Sequence, residues 1–191
     1  MAAMEETPRA VVLVEGMSDQ AALAALADRR GRDLDAEGVV VVPIGGAQAV
    51  GLFLRVYGPA GLDVRLAGLC DAGEERDFQR ALERAGFPAG LTRTQMEALG
   101  FYVCVADLED ELIRALGTTA VQQLVDSQGE LGSFHTFQKQ PAQRARPLAA
   151  QLRRFIGTRS GRKIRYGRLL VEALDPADVP RPLDLVLASV S

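Results

Sequence analysis

Short apolar runs alternate with longer amphipathic stretches through the first 118 residues of the chain. The apolar runs, rich in β-branched residues, predict strands at residues 11–15, 38–44, 64–70 and 100–106. The stretches between and after them carry apolar residues at helical spacing and predict helices at residues 19–30, 47–57, 74–85 and 108–116. Crossovers of this length force neighbouring strands to run parallel. The pattern therefore predicts an α/β sandwich whose four-stranded, mainly parallel sheet is flanked by helices.

The strand signal disappears beyond about residue 118, and helical spacing replaces it. Helices are predicted at residues 120–127, 141–156, 161–174 and 182–190, whereas residues 133–140 are ambiguous. We therefore divide the chain into an α/β core, residues 1–118, and a helical extension, residues 119–191. The extension is expected to pack on the core with its basic face toward the strand ends. Within the core, the continuous valine run at residues 39–42 is typical of a parallel strand covered on both faces.

Charge is distributed unevenly along the 191 residues, although the net charge is only −3. Residues 131–171 contain no acidic residue. The ten basic residues of this stretch are Lys139, Arg144, Arg146, Arg153, Arg154, Arg159, Arg162, Lys163, Arg165 and Arg168. Such a stretch is either a solvated helical face or a surface that binds phosphate groups. We favour the second interpretation, with DNA as the partner, because the rest of the chain also carries an acidic centre.

Several classes of protein are excluded by what the sequence lacks. No apolar run approaches the ~18 residues of a membrane span, and the acidic start of the chain argues against a secretion signal. Cys70 and Cys104 fall inside predicted strands and are interpreted as buried thiols in a reducing cytoplasm. There is no Cys/His cluster for zinc and no phosphate loop for ATP hydrolysis.

Carboxylates follow three of the four predicted strands. They are Glu15 with Asp19, then Asp71, then Asp107 with Glu109 and Glu111. Acidic residues also cap helices, and each of these alone fits that role. Because the carboxyl ends of parallel strands meet at one edge of a sheet, the set together predicts a cation site. Oxygen ligands without histidine or cysteine select Mg²⁺ or Mn²⁺.

A site of this kind has the chemistry for phosphodiester cleavage. Two such ions about 4 Å apart would activate water on one side of a phosphodiester and stabilise the leaving oxygen on the other. A neighbouring lysine would add positive charge as the transition state forms. The second predicted strand ends in Gly45-Gly46, where missing side chains let backbone N–H groups approach an anion.

Four segments resemble one family. VEGMSD at residues 14–19 resembles the glutamate motif of TOPRIM domains, and LAGLCDAG at residues 66–73 is similar to their Asp-x-Asp strand end. FYVCVADLEDEL at residues 101–112 resembles the Asp-Leu-Glu segment of the OLD (overcoming lysogenization defect) nucleases. GRKIRYGRLLVEAL at residues 161–174 resembles the lysine helix of that subgroup. The resemblance implies a Rossmann-like TOPRIM sandwich and a metal-dependent nuclease acting on DNA.

The resemblance also implies roles for particular residues. The implied metal ligands are Glu15, Asp19, Asp71 and Glu109, with Asp107 and Glu111 as further candidates. Glu15 would double as a general base, and Lys163 would stabilise the transition state. Gly45 and Gly46 would belong to the loop that faces the phosphate. From the basic stretch, we expect Arg159, Arg162 and Arg165 to bind phosphate as well. One or two ions of Mg²⁺ or Mn²⁺ would be the cofactor.

The chain departs from the family pattern in two places. Gly73 stands where the second acid of Asp-x-Asp is expected, so either Glu74 or Glu75 supplies the missing ligand or one metal binds weakly. OLD-family proteins also carry an ATPase domain ahead of the TOPRIM unit, and no such segment is present here. We therefore expect a nuclease that works alone or with a separately encoded ATPase. The alternative is a catalytically weakened nucleic-acid-binding or regulatory subunit of a repair or phage-defence complex.

Overall fold

The computed structural model describes residues 7–191. Residues 1–6, to which the argument against a secretion signal chiefly applies, lie outside the described residues. Within the described part of the chain, no helix has both the length and the apolar character needed to cross a bilayer.

The described residues form one sheet of four strands, all parallel, in the order β2-β1-β3-β4. The strands are β1 Ala10–Val14, β2 Val39–Pro43, β3 Arg65–Asp71 and β4 Phe101–Cys104. The parallel sheet expected from the sequence is therefore confirmed. Because β1 and β3 are neighbours, the residues that follow their carboxyl ends meet at one edge.

Helices make up most of the remaining structure. Their bounds are α1 Met17–Arg29, α2 Val50–Tyr57, α3 Glu75–Arg84, α4 Arg93–Ala98, α5 Leu108–Leu116, α6 Thr118–Ser127, α7 Leu131–Gln138, α8 Pro141–Arg144, α9 Leu148–Ile156, α10 Ser160–Ala173 and α11 Arg181–Ala188. Single 3₁₀ turns cover Ala47–Ala49 and Pro176–Asp178.

Apolar side chains cover both faces of the sheet because residues of a strand alternate between its faces. Val12 and Val14 of β1 face a cluster that contains α1 and helices α5 to α11 except α8, whereas Val11 and Leu13 face α2, α3 and α4. The first cluster runs without a break from β1 to the C-terminal helix α11. The division into a core and an extension at residues 118/119 stays a prediction.

Strand β2 corrects one expectation. Its valine run was expected to be covered on both faces, but β2 lies at the edge of the sheet and only Val39 is fully buried. Val40 is 43% exposed. The valine run is therefore the sign of a strand but not of a central position, because β-branched side chains also suit an edge strand.

The helices differ from the sequence expectation in three places. Residues 141–156 form two helices, α8 and α9, because Pro147 lacks the N–H that a helix interior needs. Of the ambiguous residues 133–140, all but the last two belong to α7. Helix α4 is additional, although its capping box is readable in the sequence: the Thr92 hydroxyl accepts from the Gln95 N–H, and the Gln95 side chain accepts from the Thr92 N–H.

Candidate active site

Two of the strand-end acids are in direct contact. Glu15 follows β1 and Asp71 ends the neighbouring strand β3. The backbone N–H of Asp71 donates to Glu15 Oε1 at 2.6 Å, and this hydrogen bond fixes the orientation of the Glu15 carboxyl. The topology thus brings together residues 56 positions apart in the chain.

Glu74 completes this first group of carboxylates. Glu74 lies close enough to Glu15 to raise the pKa of that carboxyl, and its Oε2 is buried without a hydrogen-bond partner among the described residues. Glu75 points elsewhere and forms an ion pair with Arg93 at 2.6 Å. Of the two glutamates that follow Gly73, Glu74 is therefore the one that joins Glu15. Gly73 itself is open, since a Cβ there would meet no atom within 4 Å.

The pKa values of the carboxyls in this group are raised, because their negative charges are buried and close together. Burial, together with the adjacent Glu74, raises the pKa of Glu15 to about 9, although the hydrogen bond from the Asp71 N–H acts to lower it. Burial also raises the pKa of Asp71 to about 7, with added repulsion from Asp107, Asp19 and Glu109. Carboxyls with these pKa values retain protons near neutral pH unless a cation replaces the protons.

Asp19, Glu109 and Lys163 form a second group beside the first. Asp19 lies in the first turn of α1, where its Oδ2 accepts from the Gly16 N–H at 2.8 Å. Glu109 lies in the first turn of α5 and is only 3% exposed. Lys163 Nζ lies 3.3 Å from Glu109 Oε1. Burial raises the pKa of both carboxyls, and the Lys163 ammonium opposes this rise.

Helix α10 brings Lys163 to the strand ends by packing closely on α1. A Cβ at Gly167 would lie 2.6 Å from the backbone oxygen of Ser18, so only glycine permits this approach. Lys163 lies four residues before Gly167 and hence on the same face of α10. Burial lowers the pKa of Lys163, but the charges of Glu109, Asp19 and Asp107 outweigh burial and raise it. The side chain therefore stays protonated at neutral pH.

A cavity of about 360 Å³ opens next to this second group. Its charged lining consists of Asp107, Glu109, Lys163, Arg146, Arg153 and Arg154. Asp107 caps α5 by accepting from the Asp110 N–H, and it also accepts from Arg153 Nε at 2.7 Å. Arg146 and Arg154 have no ion-pair partner within residues 7–191. The cavity thus combines acidic side chains with arginines that are available to an anion.

The arginines expected to bind phosphate are placed differently. Arg162 is only 8% exposed, and its guanidinium donates to Glu130, to Thr158 and to the Phe155 carbonyl. Arg165 also pairs with Glu130, at 2.7 Å. These two arginines therefore hold the helical region together. Arg159 is exposed just before α10.

The remaining predicted residues have local structural contacts. Gly45 and Gly46 adopt φ angles of 76° and 114°, which explains the glycine pair, and the Gly45 N–H donates to the Glu15 carbonyl. Glu111 accepts from the Val105 N–H at 2.8 Å and pairs with Arg114. Asp107 was expected at the end of a strand, but β4 ends at Cys104 and Asp107 is a helix cap.

The donor set fits a hard cation in its chemistry. Within residues 7–191, no three His, Cys, Asp or Glu side chains converge closely enough to enclose a metal ion. Mg²⁺ does not require such a cage, because it keeps several waters and binds through one or two carboxylates and substrate phosphates. Glu74 Oε2, which has no partner among the described residues, and the Glu15 carboxyl, which the Asp71 N–H orients, provide oxygen ligands of this kind.

In metal-free solution, the free energy of unfolding is expected to fall as the pH rises from about 5 to 9. The pKa values of Glu15, about 9, and Asp71, about 7, lie above their ordinary values. The folded state therefore binds more protons than the unfolded state in this window, and losing those protons costs stability. Urea unfolding in EDTA at pH 5, 7 and 9 measures the effect.

Mn²⁺ added at pH 8 should restore the lost stability, because a ligand of the folded state stabilises it. Glu83, exposed on α3, provides a control, since Glu83→Gln should leave the slope with pH unchanged. An unfolding free energy that rises through this pH window would contradict the prediction.

Comparison with known proteins finds a family match for the first part of the chain. Residues 8–72 match the family described as "Overcoming lysogenization defect protein-like, TOPRIM domain". This segment contains Glu15, Asp19 and Asp71 but not Glu109 or Lys163. Among curated proteins, no relative matches the chain.

Solved structures extend the similarity in fold to nearly the whole chain. The C-terminal region of the Burkholderia pseudomallei OLD protein matches with a TM-score of 0.74 at 19% identity, over 96% of this chain and 97% of that one. The C-terminal region of the Xanthomonas campestris pv. campestris OLD protein matches with a TM-score of 0.72 at 23% identity, over 97% and 95%. The resemblance to the OLD-type TOPRIM domain is thus confirmed for residues 8–72, and the fold is that of the OLD C-terminal region.

Proposed function

We propose that the chain is a metal-dependent nuclease that hydrolyses phosphodiester bonds of DNA. The observation that carries this proposal is the contact between Glu15 and Asp71 beside the protonated Lys163 and an arginine-lined cavity. Carboxylates for a hard cation and fixed positive charge for a phosphate are the two requirements of metal-assisted phosphodiester cleavage. The match to the OLD-like TOPRIM domain supports the same chemistry.

The carboxylates form two sets of proposed metal ligands. Glu15, together with Asp71 or Glu74, would hold a Mg²⁺ or Mn²⁺ ion, and Asp19 and Glu109 would be ligands on the side of Lys163. When bound, the ion supplies Lewis-acid stabilisation of charge on the phosphoryl oxygens. Glu15 is also the candidate general base, because its carboxyl is oriented by the Asp71 N–H.

The positively charged side chains would interact with the phosphates of the substrate. Lys163 remains protonated and places its charge beside Glu109, where charge on the reacting phosphate would develop. Arg146 and Arg154 line the same cavity and would bind phosphates that flank the scissile one. They are better placed for this than Arg162 and Arg165, whose guanidinium groups are held by Glu130.

Glu74→Gln is expected to weaken Mn²⁺ binding by at least roughly tenfold, because it removes a carboxylate whose Oε2 is buried and unpartnered. Glu75→Gln is the matched control, since Glu75 is adjacent in sequence but paired with Arg93. Isothermal titration of Mn²⁺ into both variants measures the difference. Equal Mn²⁺ affinities in the two variants would assign Glu74 no part in the site.

Incubation of the purified chain with supercoiled plasmid in Mg²⁺, Mn²⁺ and EDTA tests the function itself. Nicking or degradation in the divalent metals and none in EDTA is the expected result. Parallel reactions with single-stranded DNA and RNA define the substrate class. Cleavage that persists in EDTA would overturn the metal-dependent mechanism.

A second candidate function is favoured by Gly73, which replaces the second acid of the family's Asp-x-Asp pattern. The chain would then be a nucleic-acid-binding or regulatory subunit that works with a separately encoded ATPase. On its own, it would bind DNA in a salt-dependent manner without turnover in any divalent metal. Activity that appears only when a co-purifying ATPase is added would support this function over the first.

A further inference from the structure

A second arginine-lined groove lies between α2 and α3, on the face of the sheet opposite to α10. Its volume is about 370 Å³. The polar and charged side chains that line it are Gln48, Arg55, Asp77, Arg80 and Arg84. Helices α2 and α3 pack on the sheet face that carries Val11 and Leu13, whereas α10 packs on the other face. The groove is therefore separate from the cavity beside Lys163.

The three arginines of this groove lack carboxylate partners. Arg80 and Arg84 are four residues apart on α3 and so project from one face of the helix toward Arg55 of α2. Like charges at this spacing destabilise a helix. Within residues 7–191 none of the three forms an ion pair, and Asp77 instead accepts from Gln48 at 3.3 Å. Stability of the fold does not explain this arrangement.

Small residues keep the groove open. Gly51 of α2 and Ala81 of α3 lie between the arginines, and a Cβ at Gly51 would be 3.9 Å from the Ala81 Cβ. The helices are therefore in close contact at Gly51 and Ala81, and Val50 and Leu52 of α2 also line the groove. The arginine side chains are exposed along the groove, so an extended anion can lie there.

One end of the groove reaches the edge where the acids lie. Gln48 belongs to the turn that follows Gly45 and Gly46, and Asp77 lies one turn beyond Glu74 in α3. Arg55 and Arg84 lie in the last turns of their helices, at the far end. The positive charges thus lead away from the candidate active site along the outer face of the molecule.

We propose that Arg55, Arg80 and Arg84 bind backbone phosphates of the nucleic acid on the side of the sheet opposite to Lys163. The acidic edge then lies between two positive grooves, an arrangement that suits a polynucleotide crossing the strand ends. Binding of an acidic peptide would not require both positively charged grooves. The inference rests on the proposed nuclease function, because the scissile phosphate is taken to lie near Glu15 and Asp71.

Binding of a fluorescent DNA duplex in EDTA, followed by anisotropy at several salt concentrations, tests the groove without catalysis. Each phosphate contact contributes about 0.9 to the slope of log K against log salt concentration. The variant Arg55→Ala/Arg80→Ala/Arg84→Ala is expected to reduce this slope by roughly two to three. The corresponding triple lysine variant should keep the slope, because counterion release depends on charge.

Arg76→Ala is the matched control for Arg84→Ala, because both arginines are exposed on α3 but only Arg84 lines the groove. Arg76→Ala should bind DNA as the wild type does, whereas Arg84→Ala should lower the slope by about one. Thermal unfolding should be unchanged in all variants, since the substituted side chains are exposed.

Wild-type slope and affinity in the triple alanine variant would overturn this inference, and so would a wild-type protein that binds acidic polypeptide but no DNA. If wild type cleaves DNA and the triple variant binds DNA normally, the groove proposal fails while the nuclease proposal stands. If the triple variant loses DNA binding but no preparation cleaves in any metal, the groove proposal stands and the nuclease proposal fails.

Discussion

Glu15→Gln is expected to reduce metal-dependent cleavage by roughly 10²- to 10⁴-fold, the range that loss of a general base alone produces. Glutamine keeps the shape of the side chain and can still accept the Asp71 N–H, but it carries no negative charge and takes up no proton. Both proposed roles of Glu15, cation ligand and base, are therefore removed while the local hydrogen bond is retained.

The same substitution is expected to stabilise the metal-free protein above neutral pH. Wild-type Glu15 must either hold a proton, with a pKa of about 9, or carry a buried charge next to Glu74 and Asp71. The neutral amide avoids both, so the fall in unfolding free energy between pH 5 and 9 should become shallower. A gain in stability together with a loss of activity is the signature of a residue kept for function.

Plasmid nicking in Mn²⁺ measures the loss of cleavage, and urea unfolding in EDTA measures the gain in stability. Both use the same preparation. Glu83→Gln, an exposed change on α3, should leave both unchanged. Cleavage at the wild-type rate by Glu15→Gln would remove this residue from the mechanism and the strand-end carboxylates from the active site.

The parallel sheet and its edge could be predicted from the sequence because they depend on long-range regularities. Apolar runs separated by helical crossovers allow only parallel pairing. The residues after neighbouring strands then meet at one edge, so the contact of Glu15 with Asp71 follows from topology. No detail of side-chain packing is needed for either inference.

The roles of individual charged side chains could not be predicted, because they depend on local geometry. Glu74 and Glu75 are adjacent and identical in type, but the start of α3 directs one toward Glu15 and the other toward Arg93. Arg162 belongs to a basic run, yet its guanidinium lies 4.0 Å from the Phe155 ring centroid and binds Glu130. A charge run specifies how many positive side chains exist but not which of them reach solvent.

The second arginine-lined groove could not be predicted from the sequence for a related reason. Its arginines come from two helices, and the segment that contains them also carries many acidic residues. Only the packing of α2 on α3 brings Arg55 next to Arg80 and Arg84. The i, i+4 spacing of the last two was the one signal available beforehand.

Lys163→Ala is expected to lower kcat by roughly 10²- to 10³-fold, the cost of removing one preorganised group that stabilises transition-state charge. KM should change little, because the ammonium acts mainly on charge that develops during the reaction. The variant also leaves the buried Glu109 without its ion-pair partner at 3.3 Å, so some loss of stability is expected as well. Single-turnover cleavage at saturating Mn²⁺, together with thermal unfolding, separates the two effects.

Two further variants distinguish catalysis by Lys163 from a purely structural role. Arg168→Ala, an exposed change on the same helix, should retain wild-type kcat because Arg168 pairs with Glu172. The double variant Lys163→Ala/Glu109→Gln should recover thermal stability, since no buried charge is left unpaired. Because Glu109 is itself a proposed metal ligand, the single variant Glu109→Gln is the reference for turnover. If the double variant turned over as fast as Glu109→Gln, Lys163 would serve only to neutralise Glu109. Turnover well below that of Glu109→Gln at restored stability is the result that a catalytic ammonium requires.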